Sequence, residues 1–243
     1  MISTDPLKNI RVVLTQPSHP GNIGAAARAL KTMGLEALFL VNPRQFPHAD
    51  ADARASGALD VLRGAQICDS LAAALEGCVL AVATSSRQRE LRHEVMSARE
   101  VAQELLKHAA SHPVALVFGN ETSGLSSEEA SHCQVWAYVP ANPAYSSLNL
   151  AAAVQIFAYE LRMAAQGVAA TDSPEFELAT VDQVEQLYRH FESTMLSTGF
   201  LDPQNPKRLK PRLRRLLARA RLEAEEVNIL RGFLKTFDKP RPK

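Results

Sequence analysis

Residues 113–126 read PVALVFGNETSGLS. An almost continuous apolar run, Pro113 to Gly119, stops abruptly at Asn120, Glu121 and Gly124. A strand with no polar alternation is one covered on both faces, as in parallel sheets flanked by helices. Four other short runs share that character: Ile10 to Thr15, Ala37 to Val41, Val79 to Thr84 and Val135 to Val139. Helical stretches lie between them, at Asn22 to Met33, Ser70 to Glu76 and Ser147 to Ala165. Strands alternating with helices predict an α/β fold built on a mainly parallel sheet. Loops leaving the carboxyl ends of such strands are where ligands gather, so the Gly119 to Gly124 segment is the first place to search.

Beyond the last of these helices the pattern changes. Residues 167–176 carry Gly, Ala, Thr, Asp, Ser and Pro with little apolar period, and read as a linker. From Glu177 to Thr198, Leu178, Val181, Val184, Leu187, Tyr188, Phe191 and Met195 recur every three or four residues, the stripe of an amphipathic helix. Two more helices are predicted within Lys207 to Arg221 and Glu223 to Phe237. The expected division is an α/β domain over 1–166, a linker over 167–176 and a small all-helical extension over 177–243.

Charge separates these parts. The 243 residues carry a formal charge of only +1. From Lys207 onward, however, thirteen basic residues stand against four acidic ones, a net +9, leaving the rest of the chain at −8. A hydrophobic fraction of 46% with 22% charged residues excludes the disordered class. The three cysteines, Cys68, Cys78 and Cys133, form no C-x-x-C spacing, so neither a disulfide framework nor a zinc site is suggested, and no metal is expected. No charged-then-apolar leader opens the sequence, and no apolar run reaches the ~18 residues needed to span a bilayer. A cytoplasmic protein is expected.

Three segments carry candidate chemistry. In PSHPGNIGAAARAL (Pro17 to Leu30), Pro20 and Gly21 turn the chain and Asn22 is a candidate helix cap. Gly24 to Ala27 keep that helix slim enough for close approach of a ligand or second subunit, with Arg28 one and a half turns in. Taken alone, the segment reads equally as a tightly packed helix with a solvated arginine. In the second, Glu121 sits between two glycines after a buried strand, where it serves either a ligand or a cap or ion pair. In the third, YVPANPAYSSLNLAAAVQIFAYE (Tyr138 to Glu160), a proline-punctuated loop enters a helix that Ser146 or Ser147 can cap, with Asn149 in its first turn. The small face of Ala151, Ala152 and Ala153 suits close helix packing.

Taken in order, N-x-G-x-x-x-R at Asn22 to Arg28, F-G-x-E-x-x-G-L-S at Phe118 to Ser126 and S-S-L-N at Ser146 to Asn149 resemble the three motifs of the TrmH branch of the SPOUT methyltransferases. Within that branch, SHPGNIGAAARALKTMG and ANPAYSSLNLAAAVQ are most similar to bacterial enzymes that methylate the ribose 2′-hydroxyl of nucleotide 32 in the tRNA anticodon loop.

The resemblance implies a C-terminal trefoil knot, an exception to the rule against knotted chains, and a homodimer with the pocket beside the subunit interface. It implies S-adenosyl-L-methionine as methyl donor, held by Thr84, Ser85, Ser86, Gly119, Val139, Ser146, Ser147 and Leu148. It makes Arg28 the catalytic position, with Ser147, Glu121 and Asn149 positioning the ribose or completing a proton path. A guanidinium with a pKa above ~12 is a poor base, so electrostatic stabilisation is the easier role for Arg28. Asn22, Arg28 and the tail residues Lys207, Arg208, Lys210, Arg212, Arg214 and Arg215 are expected to meet RNA phosphates. Competing readings are an enzyme acting on ribosomal RNA, a non-catalytic RNA-binding protein on the same scaffold, and a doubly wound nucleotide-binding enzyme. The last lacks its phosphate-loop and dinucleotide fingerprints.

Overall fold

Seven short strands lie side by side in the order β3-β2-β1-β6-β4-β7-β5, every neighbouring pair parallel. They are β1 Ile10–Thr15, β2 Leu38–Val41, β3 Gln66–Cys68, β4 Leu80–Thr84, β5 Val95–Ser97, β6 Val114–Phe118 and β7 Val135–Tyr138. The computed structural model describes residues 4–85, 95–167 and 177–238. Interleaved with the strands are α1 Pro20–Met33, α2 Ala49–Ala55, α3 Leu59–Arg63, α4 Leu71–Ala74, α5 Ala98–Ala109, α6 Ser127–Ser131 and α7 Leu150–Gly167. The parallel sheet and helical C-terminal part expected from the sequence are both present.

The apolar runs are buried on both sides for the reason their composition suggested. Ile10, Val12 and Leu14 point to one face, where Ile23 and Leu30 of α1, Val101 and Leu105 of α5 and Val154, Phe157 and Leu161 of α7 close over them. Val13, Ala115 and Val117 point to the other, against α4, α6 and Trp136. Each fully buried aliphatic side chain contributes about 1.5–3 kcal/mol relative to exposure, so the central strands anchor the loops at their ends. The two strands not anticipated, β3 and β5, are three-residue edges, too short for any period to register.

Gly24 has a different task from the one expected. A Cβ there would lie 2.0 Å from the carbonyl oxygen of Ala51, so the slim start of α1 receives α2 of its own chain, rather than a ligand or a second subunit.

The helical extension comprises α8 Val181–Ser197, α9 Leu209–Ala220 and α10 Ala224–Lys235 around Leu187, Tyr188, Leu217, Val227 and Leu234. It is docked on the sheet domain. The amide of Val181 donates to Cys78 O at 2.7 Å and that of Gly77 to Asp182 Oδ1 at 3.0 Å. Arg221 pairs with Glu104 of α5, whose carboxyl is held well below its usual range by His108 and Arg221. Most of the expected linker, residues 168–176, lies outside the described residues; residue 167 ends α7.

Candidate active site at the carboxyl ends of the central strands

β4, β6 and β7 are neighbours in the sheet, and the end of β4 opens on one cleft with the loops that leave β6 and β7. The cleft encloses about 890 Å³ of empty space when its open mouth is included. Phe118, Leu125, Val139, Leu150 and Phe157 supply apolar wall, and Thr84, Ser85, Gly119, Glu121, Ser146, Ser147 and Leu148 complete it. The structure thus brings together all the described residues of the expected donor-binding set. Ser86 lies outside the described residues.

The loop after β6 holds its shape through its own hydrogen bonds, most of them to the Asn120 side chain. Asn120 Oδ1 accepts from the amides of Thr122 and Ser123 at 3.0 and 2.8 Å, and the Gly124 amide donates to Asn120 O at 3.0 Å. Gly124 takes φ +68°, a left-handed conformation natural to glycine. Gly119 is required for another reason: a Cβ there would lie 2.1 Å from Gly124 C and Leu125 N. Its missing side chain lets the loop fold back on the strand end and so forms the cradle.

Glu121 points out of that loop to the start of α1. Its carboxylate accepts from the Ser18 amide and hydroxyl at 2.9 and 2.7 Å, from the His19 amide at 3.2 Å and from Asn22 Nδ2 at 2.9 Å. Helix α1 needs such an acceptor, because its N-cap residue His19 makes no side-chain cap and Pro20 has no N–H to offer. Asn22, expected as the cap, instead lies inside the first turn. Partial burial works to raise the Glu121 pKa, but the hydrogen bonds from Asn22 and Ser18 outweigh it and hold the group at about 2. A carboxylate so occupied is a poor proton acceptor and a strong orienting group.

The orientation propagates. With its NH₂ committed to Glu121, Asn22 turns Oδ1 outward, where it accepts from Asn149 Nδ2 at 3.0 Å. Asn149 in turn places Oδ1 against the amides of Ala151 and Ala152 at 2.9 and 3.3 Å, capping α7. The cap of α7 is therefore Asn149, where Ser146 or Ser147 was expected, and the helix begins at Leu150. Ser147 lines the cleft, and its hydroxyl makes no hydrogen bond among the described residues.

The profile of the SpoU rRNA Methylase family matches residues 9–159, which span every part of this cleft. The chain belongs to that family. A second profile, that of the C-terminal domain of the tRNA methyltransferase TrmJ, matches residues 182–242. Among curated SpoU relatives, the tRNA (cytidine/uridine/adenosine-2′-O-)-methyltransferase TrmJ of Pseudomonas aeruginosa (strain UCBPP-PA14) is 49% identical over 239 residues, covering 94% of this chain and 93% of its own. The tRNA (cytidine/uridine-2′-O-)-methyltransferase TrmJ of Pectobacterium atrosepticum is 49% identical over 236 residues, 96% of this chain and 98% of its own. The crystal structure of TrmJ from Z. mobilis ZM4 superposes with a TM-score of 0.84 at 33% identity, covering 94% of this chain and 99% of that one.

Against the SpoU family frame, two placements differ from what the motifs suggested. Arg28 is exposed on α1, outside the cleft lining of its own chain, with no hydrogen bond or ion pair among the described residues. It stands six residues, about 9 Å of helix rise, beyond Asn22. In the extension, Lys210 pairs with Glu192. Arg214 forks onto Glu185 at 2.5 and 2.9 Å and stacks 3.9 Å over the Tyr188 ring, so both spend their charge within the chain. Ser18 was not anticipated; the signal available was a Pro-Gly helix start lacking any capping side chain.

Proposed function

We propose that the chain transfers a methyl group from S-adenosyl-L-methionine to a ribose 2′-hydroxyl of tRNA, at a cytidine or uridine in position 32 of the anticodon loop. The carrying observation is the cleft formed by the 119–125 and 139–150 loops, joined to α1 by the Glu121–Asn22–Asn149 chain of hydrogen bonds. The curated relatives named above carry that ribose chemistry in their names.

The residues present fit the donor. Apolar wall from Phe118, Leu125 and Leu150 suits a flat base, Gly119 leaves the loop backbone free to fold into a cradle, and hydroxyls of Thr84, Ser85 and Ser146 suit polar edges. Bound there, the donor supplies an electrophilic sulfonium methyl. The chain's own groups then have distinct tasks. Ser147, on the cleft lining, holds the ribose so that its 2′-oxygen lies in line with the methyl, and Asn149, whose amide is committed to Asn22 and to the α7 cap, positions the segment that carries it. Glu121 keeps Asn22 and Asn149 oriented. Arg28 keeps its charge for the incoming backbone phosphate and stabilises negative charge developing on the 2′-oxygen.

The sheet domain over 1–166 carries this chemistry, and the extension over 177–243 carries RNA affinity. The trefoil knot belongs to the same reading, which the SpoU family match over residues 9–159 supports. Exposed Tyr145 and Leu148 beside the cleft and Tyr159 and Met163 on α7 support a homodimer closing over that side. No described helix is long and apolar enough to cross a membrane, and among the described residues no acidic, His or Cys cluster could hold a metal. We place the reaction in the cytoplasm.

The test is transfer of labelled methyl to unmodified tRNA, with the product nucleotide mapped by its resistance to 2′-OH-dependent cleavage. Modification at one anticodon-loop ribose is expected. Donor binding with no transfer to any RNA would leave a non-catalytic binder instead.

A further inference from the structure

We propose that α9 carries its cations in two opposed rows, and that the outward row of Arg208, Arg212, Arg215 and Arg219 is the surface that neutralises the phosphates of the RNA substrate. The inward row, Lys210, Arg214 and Arg221, holds the helix in place. This rests on the RNA-methylating function above and assigns its affinity to particular side chains.

The spacing of the outward row is four, three and four residues. At 3.6 residues per turn those positions fall within an arc of about 60° and extend along about 16 Å of helix. Leu217, nine residues after Arg208, lies on the opposite side and is buried in the helical core. Arg208, Arg212 and Arg219 are exposed and Arg215 half-buried, and none makes an ion pair among the described residues.

The inward row is occupied. Lys210 meets Glu192, Arg214 meets Glu185 and Arg221 meets Glu104. The nearby carboxylates are thereby consumed on one side of the helix. Helix α9 itself reads LKPRLRRLLARA, with no Asp or Glu. Four like charges at i, i+3 and i+4 repel one another, and a polyanion laid along them relieves that repulsion. Guanidinium forks suit phosphate oxygens, and the row is long enough to meet more than one phosphate.

Membrane binding is the weaker match. An interfacial helix needs an exposed apolar face opposite its cations, whereas Leu213 and Leu217 of α9, away from the outward arginines, pack into the extension and leave Leu216 as its one exposed leucine.

The experiment measures binding of the full chain to an unmodified tRNA transcript by fluorescence anisotropy, across about 50 to 200 mM salt. Replacing all four outward arginines by Gln is expected to reduce the slope of log K against log salt by about 3, at roughly 0.7 to 0.9 per phosphate contact. Donor binding and thermal midpoint stay at wild-type values. Arg214→Gln is expected to lower the thermal midpoint while leaving the slope unchanged below the transition. A wild-type slope in the fourfold variant overturns the assignment while the methyl-transfer assay still stands. Equal slope losses from outward and inward variants overturn the division into two rows. Binding to anionic vesicles that competes with tRNA and is lost in the same variant overturns RNA as the partner. A wild-type chain that binds no tRNA and methylates none overturns the proposed function itself.

Discussion

Asn149 Nδ2 donates to Asn22 Oδ1 at 3.0 Å, a contact across 127 positions that ties the first turn of α1 to the start of α7. The direction of this bond is set by Glu121, because an Asn22 amide turned the other way would present its oxygen to a carboxylate. Asn149→Ala removes both the tie and the α7 cap, and is expected to cost about 1 kcal/mol of stability. Loss of RNA turnover should be larger, about tenfold or more in kcat/KM. A double-mutant cycle with Asn22→Ala should show coupling of about 0.5 kcal/mol or more. Additive effects in both denaturation and kinetics would mean that the two amides act independently.

Glu121 makes the same network sensitive to acid. Its pKa is depressed to about 2 from an unfolded value near ~4.3, so its contribution to stability is complete above the unfolded value and is lost as pH falls towards 2. Glu121→Gln cannot accept all four donors and should destabilise the fold at neutral pH, with weaker donor binding. The stability gap between wild type and variant should narrow steadily from about pH 4 to pH 2. A gap independent of pH in urea titrations would show that the charge is not what holds α1.

Gly119 offers a test of the cradle. Gly119→Ala drives a Cβ into loop backbone at 2.1 Å, where no flexible side chain can yield. Donor affinity measured by calorimetry is expected to fall at least tenfold. Gly124→Ala has open space and only the left-handed backbone to contend with, at about 1–2 kcal/mol, and should bind the donor more tightly than the Gly119 variant. The reverse order would place the close contact elsewhere.

Much of the sheet was legible because Val114–Phe118 is apolar throughout and Ile10–Thr15 and Leu80–Thr84 are nearly so, Arg11 and the terminal threonines apart, and a run buried on both faces leaves that mark in composition. Helix α5 was not anticipated, although the Ser97–Glu100 capping box that opens it is a local signature. The three-residue edges β3 and β5 owe their conformation to the neighbour they pair with. The donor cleft could be collected from three motifs, but the bond from Ser18 to Glu121 spans 103 positions and has no local signature. The same holds for the cations of α9. Charge counting finds them all, whereas only the packing of Glu104, Glu185 and Glu192 against one side separates those in use from those left free.

Arg214 and Glu185 form a mostly buried pair, with side chains 22% and 13% exposed. Burial raises the pKa of Glu185 and the Arg214 charge lowers it, with the lowering prevailing. Arg214→Gln leaves that carboxylate without its fork and is expected to cost about 3 kcal/mol, read as a lower thermal midpoint and faster hydrogen exchange in α8 and α9. Glu185→Gln should cost a similar amount. Replacing both together should cost less than the sum, and simple additivity would show that the pair does not couple the two helices.

Arg28 is the sharpest test of the chemistry. Its side chain is exposed and makes no ion pair among the described residues, so Arg28→Ala should change stability by no more than about 0.5 kcal/mol and leave donor binding intact. If the guanidinium stabilises charge on the 2′-oxygen, turnover should fall about a hundredfold or more. Arg28→Lys should recover part of that loss, since it retains the charge without the planar fork. The two candidate roles diverge in the pH–rate profile. An electrostatic group leaves the profile of Arg28→Lys with the shape of the wild type, whereas a proton acceptor replaced by lysine would introduce a new limb near the lysine pKa of ~10.4. Normal turnover in Arg28→Ala would remove this residue from the mechanism and leave Ser147 as the group that defines the ribose site.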